Sequence, residues 1–311
     1  MGFLSLALAL LLEQWRPLSR QRPLFELAER YSGFFERQFN AGETEHGLIA
    51  WMCAVLPAFL GTWLVYAMLA HVSGLLALAF NVLVLYLTLG FRQFSHYFTD
   101  IQLALKDGDL AGARALLAAW RGHSCADLGE EEIVRLTIEE ALAASHRHVF
   151  GVAFWFMLLP GPSGAVLYRL SFFLRRRWVT GSPPELEAFA RFPAQVFAAL
   201  DWLPARFTAA SFAVVGDFED AIFCWRSQAE QWREAGRDST LGVVIAAGAG
   251  ALGVRLGNPY VCEGLVVERP ELGLGEIAEP GFLDSTVGLV WRALVLWLAM
   301  VLLISVVHVL A

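Results

Sequence analysis

The sequence predicts an all-α, polytopic integral membrane protein with a cytoplasmic-facing helical core. Three observations predict it. Hydrophobic residues make up 57% of the 311 and charged residues only 17%, whereas soluble domains run about 45–50% apolar and about a quarter charged. Gly47 to Phe91 is a run of 45 residues without Asp, Glu, Lys or Arg. A second uncharged run, from Ala293 to Leu310, follows Arg292 near the end of the chain. The mean hydropathy of +0.53 agrees with this.

Each segment follows from its composition. In 1–46, the apolar run Phe3–Leu12 has no preceding positive residue and is followed by Glu13. It lacks the pattern of a cleaved secretory signal, so it is expected to stay as a short helix at the membrane surface. Segment 47–91 holds two spans of ~20 residues each, placed at about 48–70 and 74–91 around the polar cluster His71-Val72-Ser73-Gly74. Segment 92–148 reads as cytoplasmic helices: Asp109 opens an Ala/Leu helix that ends at Gly122. Glu130, Glu131 and Glu132 then begin another, where negative charge favours the helix dipole.

Segment 149–285 is expected to be a membrane-packed, re-entrant helical core with a Gly/Pro-rich loop. Val149–Tyr168 is interrupted by Pro160-Gly161-Pro162-Ser163-Gly164 and followed by Arg169, Arg175, Arg176 and Arg177. A crossing would place these arginines outside, against the positive-inside rule, so two half-helices turning back are expected. Leu203–Val215 and Leu241–Val254 are too short to span and read as separate buried helices. Leu265–Gly281 reads as loop, and 286–311 as the C-terminal transmembrane helix.

Several function classes fall away. A net charge of −7, with no basic stripe, argues against nucleic acid as a partner. Lys106 is the sole lysine and does not follow a glycine, which excludes a P-loop. Cys53, Cys125, Cys224 and Cys262 form no C-x-x-C pair and read as unpaired thiols. Gly248-Ala-Gly250-Ala-Leu-Gly253 matches a dinucleotide fingerprint, but its Ala/Gly surroundings favour close helix packing. His146 and His148 are too closely spaced for a metal pair on one helix face, so no metal site is expected. Asp201 and Arg206, in apolar surroundings, are candidates for a site or for a structural ion pair.

Three blocks carry a resemblance. Leu128–Ala144 with Val152–Leu170, Asp201–Ala209, and Ala247–Tyr260 running into Val266–Glu276 resemble the CobD/CbiB cobalamin-biosynthesis family. Such proteins are adenosylcobinamide-phosphate synthases, joining adenosylcobyric acid to an aminopropanol phosphate by an amide bond at the expense of ATP. The resemblance implies a bacterial inner-membrane protein acting on a corrinoid intermediate, with ATP and Mg2+ as cofactors where the synthase activity is retained. It implies catalytic roles for Glu139 and Asp201, and substrate-binding roles for Arg206, Arg255 and Asn258. Four polar stretches differ from the family pattern: Glu140–Gly151, Ser171–Arg175, the lone Asp201 before Pro-Ala-Arg, and Arg237–Gly242. They raise the prospect of a fold kept and a reaction lost. Leu10–Leu18 and Leu200–Trp225 are similar to AmpE, a membrane protein tied to β-lactamase induction, which implies the alternative of a non-enzymatic signalling modulator.

The arginine distribution yields a topology: the His71 turn and Ala311 outside, Arg175–Arg177 inside. Cysteines introduced beside His71 and Ala311 are expected to react with an impermeant maleimide in intact cells, and one beside Arg176 is not. Reaction beside Arg176 overturns the re-entrant reading.

Overall fold

The computed structural model describes residues 2–15, 22–39, 43–179 and 187–310. In chain order the first helices are α1 (Gly2–Trp15), α2 (Arg22–Phe39), α3 (Thr44–Val72), α4 (Gly74–Thr88), α5 (Phe91–Lys106), α6 (Leu110–Arg121) and α7 (Glu130–Ser145). A π-turn (His146–Phe150) leads into α8 (Gly151–Leu158), α9 (Ser163–Val179), α10 (Glu187–Val215), α11 (Phe218–Glu234) and α12 (Ser239–Leu252). Short strands β1 (Leu256–Gly257), β2 (Tyr260–Cys262), β3 (Leu265–Val267) and β4 (Glu271–Leu272) precede α13 (Gly281–Leu310).

These elements form two compact units, each discontinuous in sequence. The first comprises Met1–Gly90, Gly151–Trp202 and Val301–Ala311; the second comprises Phe91–Phe150 and Leu203–Met300. Residues 149–285 are thus shared between the two.

In the first unit, Ala50, Trp51, Ala54 and Val55 of α3 pack against Leu174 and Trp178 of α9 and Phe189 of α10. Gly47 makes this approach possible, since a Cβ there would lie 2.0 Å from the Phe189 carbonyl oxygen. Ser73 separates α3 from α4 in extended conformation and accepts a hydrogen bond from the Leu75 N–H at 3.3 Å, as the polar cluster at 71–74 predicts. However, α4 has 15 residues, about 22 Å at the helical rise, which is short of a ~30 Å hydrocarbon core.

The helices long and apolar enough to cross a bilayer, among the described residues, are Thr44–Val72 and Gly281–Val307. Only 17% of the α3 apolar window is buried, so α3 is not the enclosed core helix of a water-soluble fold. Trp63, Leu64 and Met68 on α3, and Val295, Leu303 and Ile304 on α13, stand exposed.

The Pro/Gly knot at 160–164 does break the helix, and α8 packs back on α9. Gly164 permits this, because a Cβ there would lie 2.0 Å from the Trp155 carbonyl oxygen. The short helix expected at Leu203–Val215 is instead the second half of the 29-residue α10. Pro204 lies inside it and cannot donate to the carbonyl of Leu200 four residues back. The Trp155 indole N–H donates to that carbonyl instead, at 3.1 Å, so the helix runs on.

In the second unit, Asp109 caps α6 by accepting from the Gly112 N–H, and Gly122 closes it at φ 78°, both as predicted. Glu132 reaches back to accept from the Gly129 N–H at 2.7 Å, anchoring the start of α7. The π-turn rotates the two histidines apart. His146 is fully buried with its Nδ1 at 2.9 Å from Thr208 Oγ1, and His148 is half-buried. All four cysteines are free thiols.

The glycine motif of α12 lies within a helix, with no strand before it. A Cβ on Gly248 would meet Leu142 at 2.7 Å, one on Gly250 would meet the Asp220 carbonyl oxygen at 2.4 Å, and Gly253 caps the helix at φ 66°. Close packing is the role of these glycines.

The helical class stands, and the loop reading needs one correction. The Gly/Pro-rich stretch at 265–281 is not plain loop: β1 pairs antiparallel with β4, and β2 with β3. Glu263 and Gly264, at φ 53° and 74°, make the two-residue turn that a tight hairpin requires.

Gly250→Ala should destabilise the protein by about 1–3 kcal/mol through overpacking, seen as a lower melting temperature. Gly288→Ala, where a Cβ meets nothing within 4 Å, should not. Equal melting of the two variants would refute the α11–α12 backbone approach.

Candidate functional site

The loop 253–276 is the part of the second unit where polar chemistry concentrates. Val254 pairs with Glu276 across its neck, the Arg255 N–H donates to the Glu276 carbonyl at 2.9 Å, and the Asn258 N–H donates to the Pro270 carbonyl at 3.2 Å. Gln228 of α11 clamps Gly273 from outside, accepting from its N–H at 2.6 Å and donating to its carbonyl at 3.1 Å. Gly257 is obligatory at φ 73°, because a Cβ there would lie 2.1 Å from the Pro270 carbonyl oxygen.

At the centre is a buried ion pair. Glu139 of α7 is 6% exposed and Arg269 of the loop is 7% exposed. Arg269 Nη1 lies 2.5 Å from Glu139 Oε2 and Nη2 lies 3.2 Å from Oε1, a bidentate fork. Gly257 closes the arrangement from both sides: its N–H donates to Glu139 Oε1 at 2.9 Å, and its carbonyl accepts from Arg269 Nη2 at 2.7 Å. Arg269 Nε donates to the Asn258 carbonyl at 3.2 Å. The guanidinium also lies over the Tyr260 ring at 4.8 Å and the Trp232 ring at 5.6 Å.

More arginines surround this pair. Arg121 of α6 bridges Glu140 at 3.2 Å and the Tyr260 hydroxyl at 3.1 Å. Burial works against its charge, but Glu140 and then Tyr260 outweigh that and hold the guanidinium above its ordinary value. Arg237 also lies over the Trp232 ring, at 5.5 Å. Burial first, and then the charge of Arg269, push the Arg237 guanidinium below its ordinary value. Arg135 of α7, 4% exposed, donates to the Pro259 carbonyl at 3.3 Å. The Nε groups of Arg135 and Arg255 are buried with no acceptor among the described residues. Buried N–H donors without acceptors are rare in native proteins, and here two occur on guanidinium groups beside one loop.

The expected site residues separate accordingly. Glu139, Arg255 and Asn258 come together at the loop; Glu139 with its side chain, and Asn258 through its backbone at φ 61°. Arg206 is half-buried on α10 in the same unit. Asp201 belongs to the first unit, where it is fully buried and accepts a hydrogen bond from the Tyr168 hydroxyl at 2.6 Å. Gly151 lets that tyrosine in, since a Cβ would lie 2.4 Å from its hydroxyl oxygen. Residue-by-residue reading missed Arg269, Arg121, Tyr260 and Trp232. The available signal was a single arginine, Arg269, in the Gly/Pro-rich stretch Val266–Gly275.

Fold and site together define a class: a mainly helical protein whose polar site is a loop clasped to one helix by a buried Glu–Arg pair. The sequence comparisons place it further. The profile described as CobD/Cbib protein matches residues 6–308, and the chain belongs to that family. It is 35% identical over 305 residues to "Cobalamin biosynthesis protein CobD" of Stutzerimonas stutzeri (strain A1501), covering 96% of this chain and 97% of that protein. It is 36% identical over 241 residues to the protein of the same description from Chromobacterium violaceum, covering 75% and 74%. The Pelobacter propionicus relative is 28% identical over 295 residues, covering 86% and 84%. No solved structure matches.

Breaking a buried ion pair by removing one partner costs about 3–5 kcal/mol. Glu139→Gln and Arg269→Gln should each lower stability by this order. Hydrogen–deuterium exchange should show the loss concentrated in 254–276, with α5 little changed. Unaltered exchange in 254–276 would show that the pair does not hold the loop.

Proposed function

We propose that this chain acts in cobalamin biosynthesis as a membrane-bound, adenosylcobinamide-phosphate synthase-like protein. Family membership supports the pathway, through relatives described as cobalamin biosynthesis proteins that match nearly end to end. The exposed apolar faces of α3 and α13 support attachment to a bilayer. A multi-pass arrangement in the bacterial inner membrane fits these faces and the arginine distribution.

The observation that carries the reading is the pair of acceptor-less guanidinium donors at the loop, on Arg135 and Arg255. In such a synthase a carboxylate activated by phosphorylation, at the expense of ATP, becomes an amide when an amine displaces phosphate. That chemistry moves phosphoryl charge and needs fixed donors aimed at it. Arginine suits the task, because its planar fork matches phosphate geometry and stays charged. In this reading Arg135 and Arg255 bind phosphoryl oxygens, and Arg237 adds positive potential. Glu139 is a positioning residue that holds Arg269 and Gly257 in place.

Glu139 and Glu140 are already engaged by Arg269 and Arg121. Among the described residues no group of three or more His, Cys, Asp or Glu gathers as a metal-ligand set. The residues present therefore fit nucleotide phosphates better than a protein-held Mg2+. Any Mg2+ would come with those phosphates, as is usual for this ion.

The test is growth. Expressed in a cell lacking its own synthase, the chain should restore corrinoid-dependent growth. The double variant Arg135→Gln with Arg255→Gln should accumulate in the membrane, melt as a folded protein and restore growth at least about tenfold less well, as loss of charge-assisted hydrogen bonds implies. Failure of the wild-type chain would reject the synthase reading. Equal growth with the double variant would reject these arginines as its binding groups.

A further inference from the structure

The sequence holds no closely spaced cysteine pair, yet the fold of the second unit brings two thiols to one place. Cys262 ends β2, and its Sγ donates to the Ser124 carbonyl at 3.4 Å. Cys125 is the next residue along, in the connection between α6 and α7, and its Sγ donates to the His123 carbonyl at 3.6 Å. Both sulfurs therefore lie against one stretch of three residues, His123-Ser124-Cys125. Standard bond lengths put the Cys125 Cα roughly 3 Å from the Ser124 oxygen, and so within roughly 6 Å of the Cys262 sulfur.

The two thiols also influence each other. Burial pushes the Cys125 thiol up, the charge of Arg121 opposes this, and the Cys262 thiol pushes it up further. They differ in access: Cys125 is 2% exposed, whereas Cys262 is half-buried. The β2–β3 hairpin forms a sheet of its own, with Val261, Leu265 and Val266 exposed. The end that carries Cys262 therefore has room for the ångström-scale shift that a disulfide, with its Cβ atoms about 3.8 Å apart, requires.

We propose that Cys125 and Cys262 form a redox-active dithiol, which a low-molecular-weight disulfide closes into a bond joining the β2–β3 hairpin to the α6–α7 connection. The Cys262 thiol loses its proton and attacks one sulfur of the small disulfide, expelling the other half as a thiolate that takes up the proton. Cys125 then loses its proton, attacks the Cys262 sulfur and expels the second half in the same way. The protein gives up two electrons and two protons, and one small disulfide becomes two thiols. Segment 92–148 reads as cytoplasmic, a compartment in which glutathione keeps thiols reduced. The dithiol is then the resting form, and the bond marks oxidising conditions.

The consequence falls on the loop. Tyr260 and Cys262 are two residues apart on one strand and share a face. Tyr260 carries Arg269 over its ring and the Arg121 guanidinium on its hydroxyl. A bond from Cys262 to the segment just beyond α6 fixes that face against Arg121, so the oxidised protein holds its hairpin more rigidly. Nothing in this inference depends on the synthase reading.

The full chain, purified in detergent with its thiols reduced, is equilibrated with oxidised glutathione. The remaining thiols are alkylated in denaturant, and the peptides are mapped without reduction. The expected product joins Cys125 to Cys262 and is lighter by two hydrogens than the two peptides together. In Cys125→Ser the glutathione adduct on Cys262 should accumulate at least about tenfold above its wild-type level, because the wild-type neighbour attacks at high effective concentration. In Cys262→Ser the buried Cys125 should stay reduced. Oxidised wild type should melt higher than reduced, since a cross-link that fits the native fold constrains the unfolded chain. Hydrogen exchange in 260–267 should slow as well. The wild-type map and melt decide the matter even where a variant folds poorly. An absent cross-link, a glutathione adduct that persists on wild-type Cys262, or pairing with Cys53, Cys224 or a second chain would overturn the proposal. So would a Cys125–Cys262 bond that lowers the melting temperature.

Discussion

Arg269 is a permanent charge placed where only 7% of its surface meets solvent, and the loop around it exists in the form that answers that charge. Guanidinium burial is costly unless every donor finds an acceptor and the charge finds a partner. Glu139 supplies the charge, Gly257 and Asn258 supply carbonyls, and Tyr260 supplies a ring face. Each of those contacts also fixes backbone. Gly257 faces Glu139 with its N–H and Arg269 with its carbonyl, so its positive φ and the β1–β4 pairing are parts of one arrangement. The strands are too short to hold themselves, at two or three residues each. Their order follows from the ion pair and from the Gln228 clamp.

The first unit obeys the same rule without an ion pair. At two of its interruptions a side chain meets a backbone carbonyl left over. Pro204 deprives the Leu200 carbonyl of its partner, and Trp155 provides one. The break at 159–162 brings irregular backbone inside, and Ser163 donates to the Pro160 carbonyl at 2.8 Å. Asp201, buried outright, receives the Tyr168 hydroxyl.

Much of the helical frame was legible because its signals are local. Asp109, Gly122 and Glu132 act on atoms within four residues of themselves, and the polar cluster at 71–74 stops one helix and starts another. The small residues of α12 declared tight packing, and the structure shows what they pack against. The site was less legible because its pairings are remote. Glu139 and Arg269 lie 130 residues apart, and no periodicity links them. The hairpin at 260–267 was hidden by its brevity: three residues a side do not establish an alternating pattern. The continuous α10 was obscured by Pro204, whose helix-breaking effect is cancelled by a tryptophan 49 residues earlier in the chain.

The geometry also bears on which residue could do chemistry. Glu139 Oε1 accepts from both Gly257 and Arg269, and Oε2 accepts from Arg269. To take a proton from a substrate it would have to release the loop that forms the site. A carboxylate so placed serves better as a fixed point than as a reacting group. The arginines differ in this respect, since Arg135 and Arg255 each keep a buried donor unused. Groups that are already satisfied hold the frame, and groups that are not satisfied define where a ligand belongs. On that criterion the proposed phosphoryl ligand of the second unit would meet its guanidinium groups.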